Sequence, residues 1–171
     1  LNVGHALRAG VDIGPVVDER QLALNLSYLD IARREGAQAI IGGETLERDT
    51  VGHFQAPALV IGTEPGMRIN REEVFGPVAS VLRARDYDEA LHLANDTEFG
   101  LASGICTTSL KYATHFRQHA QAGMVMVNLP TAGVDYHVPF GGTKASSYGP
   151  REQGRYAAEF FTTVKTAYIA S

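Results

Sequence analysis

Cysteine occurs once in the 171 residues, at Cys106. That excludes an intrachain disulfide framework and suits a reducing compartment. No apolar run approaches the roughly 20 residues that cross a bilayer as a helix. The opening Leu1-Asn2-Val3-Gly4-His5 has neither the basic nor the apolar region of a signal peptide, so a cytoplasmic location is expected. Positive charge is not in excess: 15 Lys and Arg stand against 19 Asp and Glu, a formal charge of −4. The basic residues are also scattered, where a nucleic-acid surface would cluster them. Internal repeats, low-complexity tracts and linkers are all missing, which points to one domain. What is present is ordinary for a water-soluble globular chain, 44% hydrophobic and 20% charged, and long enough to bury a core.

The order of elements reads as α/β. Asp18, with Gln21 three residues on, is a helix start, followed by Leu22, Leu26 and Leu29 at helical spacing and a stop at Gly36. Ala39-Ile40-Ile41 is a short strand candidate. Phe54 to Gly62 is extended but carries Pro57, which marks an edge strand or a loop-bounded piece. Val78 to Arg83 is another β-rich run. Asp86 then caps a helix with Tyr87, Ala90, Leu91 and Ala94 on one face. Leu101 to Thr107 is a strand, Ser109 caps a helix ending at Gly123, and Met124 to Asn128 is an apolar strand expected to be covered on both faces. Strand, helix and strand in that order predict a βαβ unit with parallel strands. After a loop from Leu129 to Gly149, a helix over Arg151 to Phe161 and a strand over Val164 to Ile169 complete the chain.

Glu72-Glu73-Val74-Phe75-Gly76-Pro77-Val78 joins a carboxylate, an aromatic ring and a rigid turn. A carboxylate accepts paired hydrogen bonds from vicinal hydroxyls such as those of a ribose, and a Phe offers a flat apolar face beside it. The plainer alternative is a surface turn with a buried Phe. Cys106 lies in an apolar run, where a small buried side chain is expected and not a reactive thiolate. His115 and His119 have a zinc-like spacing, but Phe116-Arg117-Gln118 between them lacks the Glu of a zinc hydrolase, so they read as surface histidines. Gly141-Gly142-Thr143-Lys144 has the composition of a phosphate loop without its order.

Together these segments resemble the C-terminal part of the catalytic domain of the aldehyde dehydrogenase family. Glu73 to Pro77 is similar to its Glu-x-Phe-Gly-Pro motif. Pro139-Phe140-Gly141-Gly142-Thr143-Lys144, with Ser147, Gly149, Glu152 and Gly154, follows its Pro-Phe-Gly-Gly-x-Lys-x-Ser-Gly-x-Gly-x-Glu-x-Gly, with Tyr148 in place of a Gly. Gly4 to Pro15, Asp96 to Leu101 and Gly123 to Asn128 resemble further motifs in the family's order, so the likeness covers essentially the whole chain. Within the family, Met124 to Gly142 and Ser146 to Thr163 look most like α-ketoglutaric semialdehyde (2,5-dioxovalerate) dehydrogenases, which serve sugar and sugar-acid catabolism.

The resemblance implies a parallel-sheet part of the catalytic domain over residues 1–161 and an oligomerisation strand over 162–171. It implies NAD or NADP as cofactor, a small aldehyde as substrate, a cysteine thioester mechanism and a homo-oligomer, with no nucleic-acid or membrane partner. Glu73 and Phe75 take the roles of ribose clamp and nicotinamide pocket wall. Gln21 and Leu101 match cofactor-contacting positions, although Leu24 stands where relatives often carry a basic residue. Phe140 matches an aromatic of the aldehyde tunnel, and Glu152 an outer acid linked to proton handling. A carboxylate at the start of the last helix, favoured by the helix dipole, is the other reading of Glu152. The family's nucleophile precedes the Phe-Gly-Pro motif, and no cysteine precedes it here. The chain therefore reads as an enzyme segment without nucleophile or general base, inactive alone. A non-catalytic structural or interaction module on the same scaffold is the alternative.

Overall fold

The computed structural model describes residues 1–170. The chain divides into two compact units, Leu1–Arg83 and Ala84–Ser171, a division that no linker composition announces.

In the first unit, α1 (Glu19–Arg34) starts at Asp18, whose carboxylate accepts the Gln21 N–H at 2.7 Å. That cap satisfies one of the unpaired donors at the helix start and contributes about 1 kcal/mol. The strands are β1 (Gln38–Ile41), β2 (Thr45–Leu46), β3 (Phe54–Gln55), β4 (Ala58–Ile61) and β5 (Val78–Ser80), with a short helix α2 (Arg68–Arg71) before the last. β4 is central in the order β1-β4-β5, antiparallel to β1 and parallel to β5. The segment expected as one extended piece is thus two strands in different sheets, parted at Ala56-Pro57. β4 is loop-bounded and not an edge, because Pro57 precedes its first paired residue and owes no N–H to the ladder. Tyr28, Leu29 and Ala32 of α1 pack with Ala58, Val60, Ile69 and Val74 in one core.

In the second unit, α3 (Tyr87–Asn95) precedes β6 (Ala102–Ile105), α4 (Leu110–His119) and β7 (Met124–Val127), and these last three form the predicted βαβ unit. β6 and β7 run parallel from Ala102 opposite Met124 to Ile105 opposite Val127. Asp86 caps α3 through the Glu89 N–H at 2.9 Å. Ser109 caps α4. Phe116 of α4 is buried. β7 is half-buried along its length, where full cover on both faces was expected.

The last two elements also depart from expectation. In place of a helix over 151–161 there is a 3-10 turn, Gly154–Tyr156, followed by α5 (Ala157–Phe161). Glu152 is held in a bridge with Phe140, and Gln153 has φ 66°, a left-handed residue that ends any helical path before it. Val164 to Ile169 forms no ladder with any described residue and is exposed to solvent, Val164 at 98%. A strand needs a ladder partner, and none of the described residues supplies one. Cys106 lies one residue past β6 and is exposed, contrary to the buried setting expected.

Candidate functional site

Between α2 and β5 the motif residues alternate in fate. Glu72 is fixed: Arg68 donates to its two carboxylate oxygens at 2.7 and 2.8 Å, and the Tyr28 hydroxyl donates at 2.6 Å. These donors hold the Glu72 carboxyl down at about 2, Arg68 acting most strongly, and Glu72 in turn pushes the Tyr28 hydroxyl up. Glu73 is exposed, and no hydrogen bond from any described residue engages its carboxylate. Val74 is buried in the core. Phe75 is 76% exposed, so the reading of a surface turn with a buried Phe is overturned: the buried residue of the turn is Val74.

Phe75 also has φ 56°. A bulky residue in the left-handed region costs about 1–2 kcal/mol. Three contacts oppose that cost. Burying Val74 contributes about 1.5–3 kcal/mol. The Gln21 amide nitrogen donates to the Val74 carbonyl at 3.0 Å. The Pro77 carbonyl accepts the Ala58 N–H at 2.8 Å, which joins the turn to β4. The result is an exposed carboxylate and an exposed aromatic ring two residues apart on a backbone that is held from beneath.

Sequence reasoning places Gln21 at a cofactor contact; its amide here grips the loop. It belongs to a stripe down α1, Gln21, Asn25 and Tyr28, that faces the motif. The Asn25 amide accepts from Gln21 Nε2 at 2.7 Å and donates to Gln55 Oε1 at 2.9 Å. Gly76 lies so close that a Cβ there would fall 2.3 Å from the Asn25 amide nitrogen. Asn25 and Tyr28 were missed because a helical pattern search weighs Leu22 and Leu26, and buried polar side chains leave no periodic signal.

In the second unit, Phe140 and Glu152 meet through their backbones, each N–H donating to the other's carbonyl at 2.7 and 2.9 Å. Glu152 is therefore a bridge residue and not a helix start. Phe140 is half-buried. Pro139 beside it lines an apolar cavity with Met124, Met126, Leu129 and Val138, and Phe140 is not part of that lining. Leu101, just before β6, is exposed. The Gly-Gly-Thr-Lys turn serves as a clasp: Lys144 Nζ donates to the Asn95 and Thr97 carbonyls at 2.6 and 2.9 Å, closing the end of α3. The Thr143 N–H donates to the Gly100 carbonyl at 2.9 Å. At Gly123 a Cβ would sit 2.0 Å from the Gly141 carbonyl oxygen, so only glycine permits that approach. His115 bonds the Tyr87 hydroxyl at 2.9 Å and stacks on His119 at 3.9 Å.

Residues 1–167 match the aldehyde dehydrogenase family. The chain belongs to that family. It is 44% identical over 160 residues to the α-ketoglutarate semialdehyde dehydrogenase of Haloferax volcanii, covering 92% of this chain and 33% of that protein. It is 39% identical over 171 residues to the α-ketoglutaric semialdehyde dehydrogenase of Bacillus subtilis, covering 99% of this chain and 35% of the relative. Among solved structures, betaine aldehyde dehydrogenase from Staphylococcus aureus in complex with NAD+ superposes with a TM-score of 0.87 at 32% identity, over 94% of this chain and 32% of that one. The chain thus spans about a third of the length of these relatives. The aldehyde dehydrogenase fold, mixed α/β with parallel sheet, is borne out.

Proposed function

We propose that this chain is part of an NAD(P)-dependent aldehyde dehydrogenase that oxidises an aldehyde, α-ketoglutaric semialdehyde by its likeness to dehydrogenases of that substrate, to the carboxylic acid. The observation that carries the reading is the pairing of an unengaged Glu73 carboxylate with an open Phe75 ring on a strained, braced turn. A dinucleotide fits that pairing: Glu73 accepts from both hydroxyls of a ribose, and Phe75 covers one face of the adjoining ring. When bound, the nicotinamide supplies a hydride acceptor. This chain's own work there is to fix the ribose and exclude water on one side. Gln21 acts by supporting the turn, and Leu101 offers an apolar surface to the cofactor. Phe140 lines the aldehyde entrance, with Glu152 locked behind it by the backbone bridge. The thioester-forming cysteine and the general base come from outside these 171 residues, so the chain by itself has no aldehyde turnover. Residues 1–161 act as the catalytic-domain part, and 162–171 pair with a second copy. The setting is the cytoplasm.

Substituting Glu73→Gln in an enzyme assembled with this segment tests the reading. Loss of two charge-assisted hydrogen bonds weakens NAD+ or NADP+ binding by roughly tenfold to a hundredfold. The unfolding midpoint stays in place, because no described residue bonds the Glu73 carboxylate. Unchanged cofactor affinity, measured by calorimetry, overturns the clamp.

A further inference from the structure

Two amides are fully buried in the first unit: Asn25 is 0% exposed and Gln55 1%. They form the inner part of a directed chain of donors. Gln21 Nε2 donates to the Val74 carbonyl at 3.0 Å and to Asn25 Oδ1 at 2.7 Å, and Asn25 Nδ2 donates to Gln55 Oε1 at 2.9 Å. Turning the Asn25 amide over, with its neighbouring amides turned to match, instead sets its nitrogen 3.2 Å from the Val74 and Gln21 carbonyl oxygens, so in either orientation Asn25 is tied to the turn. In the first orientation the chain ends with Gln55 Nε2 buried and without an acceptor among the described residues. An orphaned buried amide costs about 1–3 kcal/mol, and two apolar side chains of the same shape would not incur it. On stability alone the pair is a poor choice, so its value lies in what it positions.

What it positions is the motif turn. The Asn25 amide packs on Gly76 and orients the Gln21 amide whose other bond holds the Val74 carbonyl. Val74 and Gly76 flank Phe75, the residue at φ 56°. The geometry points to Asn25 and Gln55 as positioning residues for cofactor binding: through Gln21 and Gly76 they hold the turn in the backbone state that presents Glu73 and Phe75. This inference rests on the clamp reading above.

The test replaces both amides by their apolar shape-mates, Asn25→Leu with Gln55→Met, alongside the single Asn25→Leu. In the 171-residue chain the double variant unfolds at or above the native midpoint, since no unpaired amide remains. The Val78 amide, which bonds the Gly76 carbonyl across the turn, exchanges with solvent at least about tenfold faster, while the Val60 amide in the core is unchanged. In an assembled enzyme the dissociation constant for NAD+ rises about tenfold, the equivalent of one lost hydrogen bond. Native exchange at Val78 in the double variant overturns the inference, and so does native NAD+ affinity. If Glu73→Gln weakens NAD+ while the double variant does not, the clamp stands and the amide pair is only structural. If Glu73→Gln has no effect, the clamp reading itself is lost. Should the single variant not fold, the double variant decides alone.

Discussion

Adjacent glutamates with opposite fates show how much a single position decides. Glu72 is consumed by Arg68 and Tyr28, and Glu73 is left to solvent. The Glu72 carboxyl is held at about 2 against an ordinary 4.5. Its folded value lies below the unfolded one, so its contribution is present above pH about 4.5 and is lost as pH falls toward about 2. In Glu72→Gln, stability measured by denaturant titration therefore declines less steeply across that acid window than in the native chain. An acid limb as steep as the native one would show that the Arg68 and Tyr28 contacts do not persist in solution.

At the scale of elements, what could be read in advance followed local rules. Asp18, Asp86 and Ser109 announced helix starts because capping is a short-range contact between a side chain and an N–H three residues on. The parallel pairing of β6 and β7 followed from the connecting helix. Glu73 and Phe75 were legible through family motifs, and the structure leaves both side chains open. What was illegible depended on distant partners. The split of Phe54 to Ile61 into two sheets depends on β1 and β5, and the truncation of the last helix depends on Phe140 holding Glu152. The polar underside of the motif, Asn25 and Gln55, is invisible for the same reason: its bonds join residues thirty positions apart. Gly123 shows what element packing demands. A Gly123→Ala substitution drives a methyl into the Gly141 carbonyl, which backbone must move to accept. The expected loss is about 2–4 kcal/mol of stability by denaturant titration, at the upper end of ordinary substitutions. A loss below about 0.5 kcal/mol, typical of free surface positions, would mean the clasp is loose.

For the molecule as a whole, the C-terminal stretch after α5 stands apart. Val164, Tyr168 and Ile169 are almost fully exposed, so they bury little within their own chain. A β-branched, aromatic segment with its backbone groups unpaired is a template for another strand. Removing residues 162–171 is expected to leave the unfolding midpoint of the dilute chain unchanged and to abolish concentration-dependent association in sedimentation experiments. Association that survives the truncation places the contact elsewhere.

The alternation at 72–75 has a consequence for sequence length. Clamped, free, buried and open follow one another at single-residue intervals, so the turn tolerates changes of letter far better than changes of count. Inserting one residue between Arg68 and Glu72 would carry Glu72 past its partners, and deleting Glu72 would hand Arg68 the carboxylate that ought to stay free. An insertion or deletion here would silence the turn while preserving almost every side chain in it.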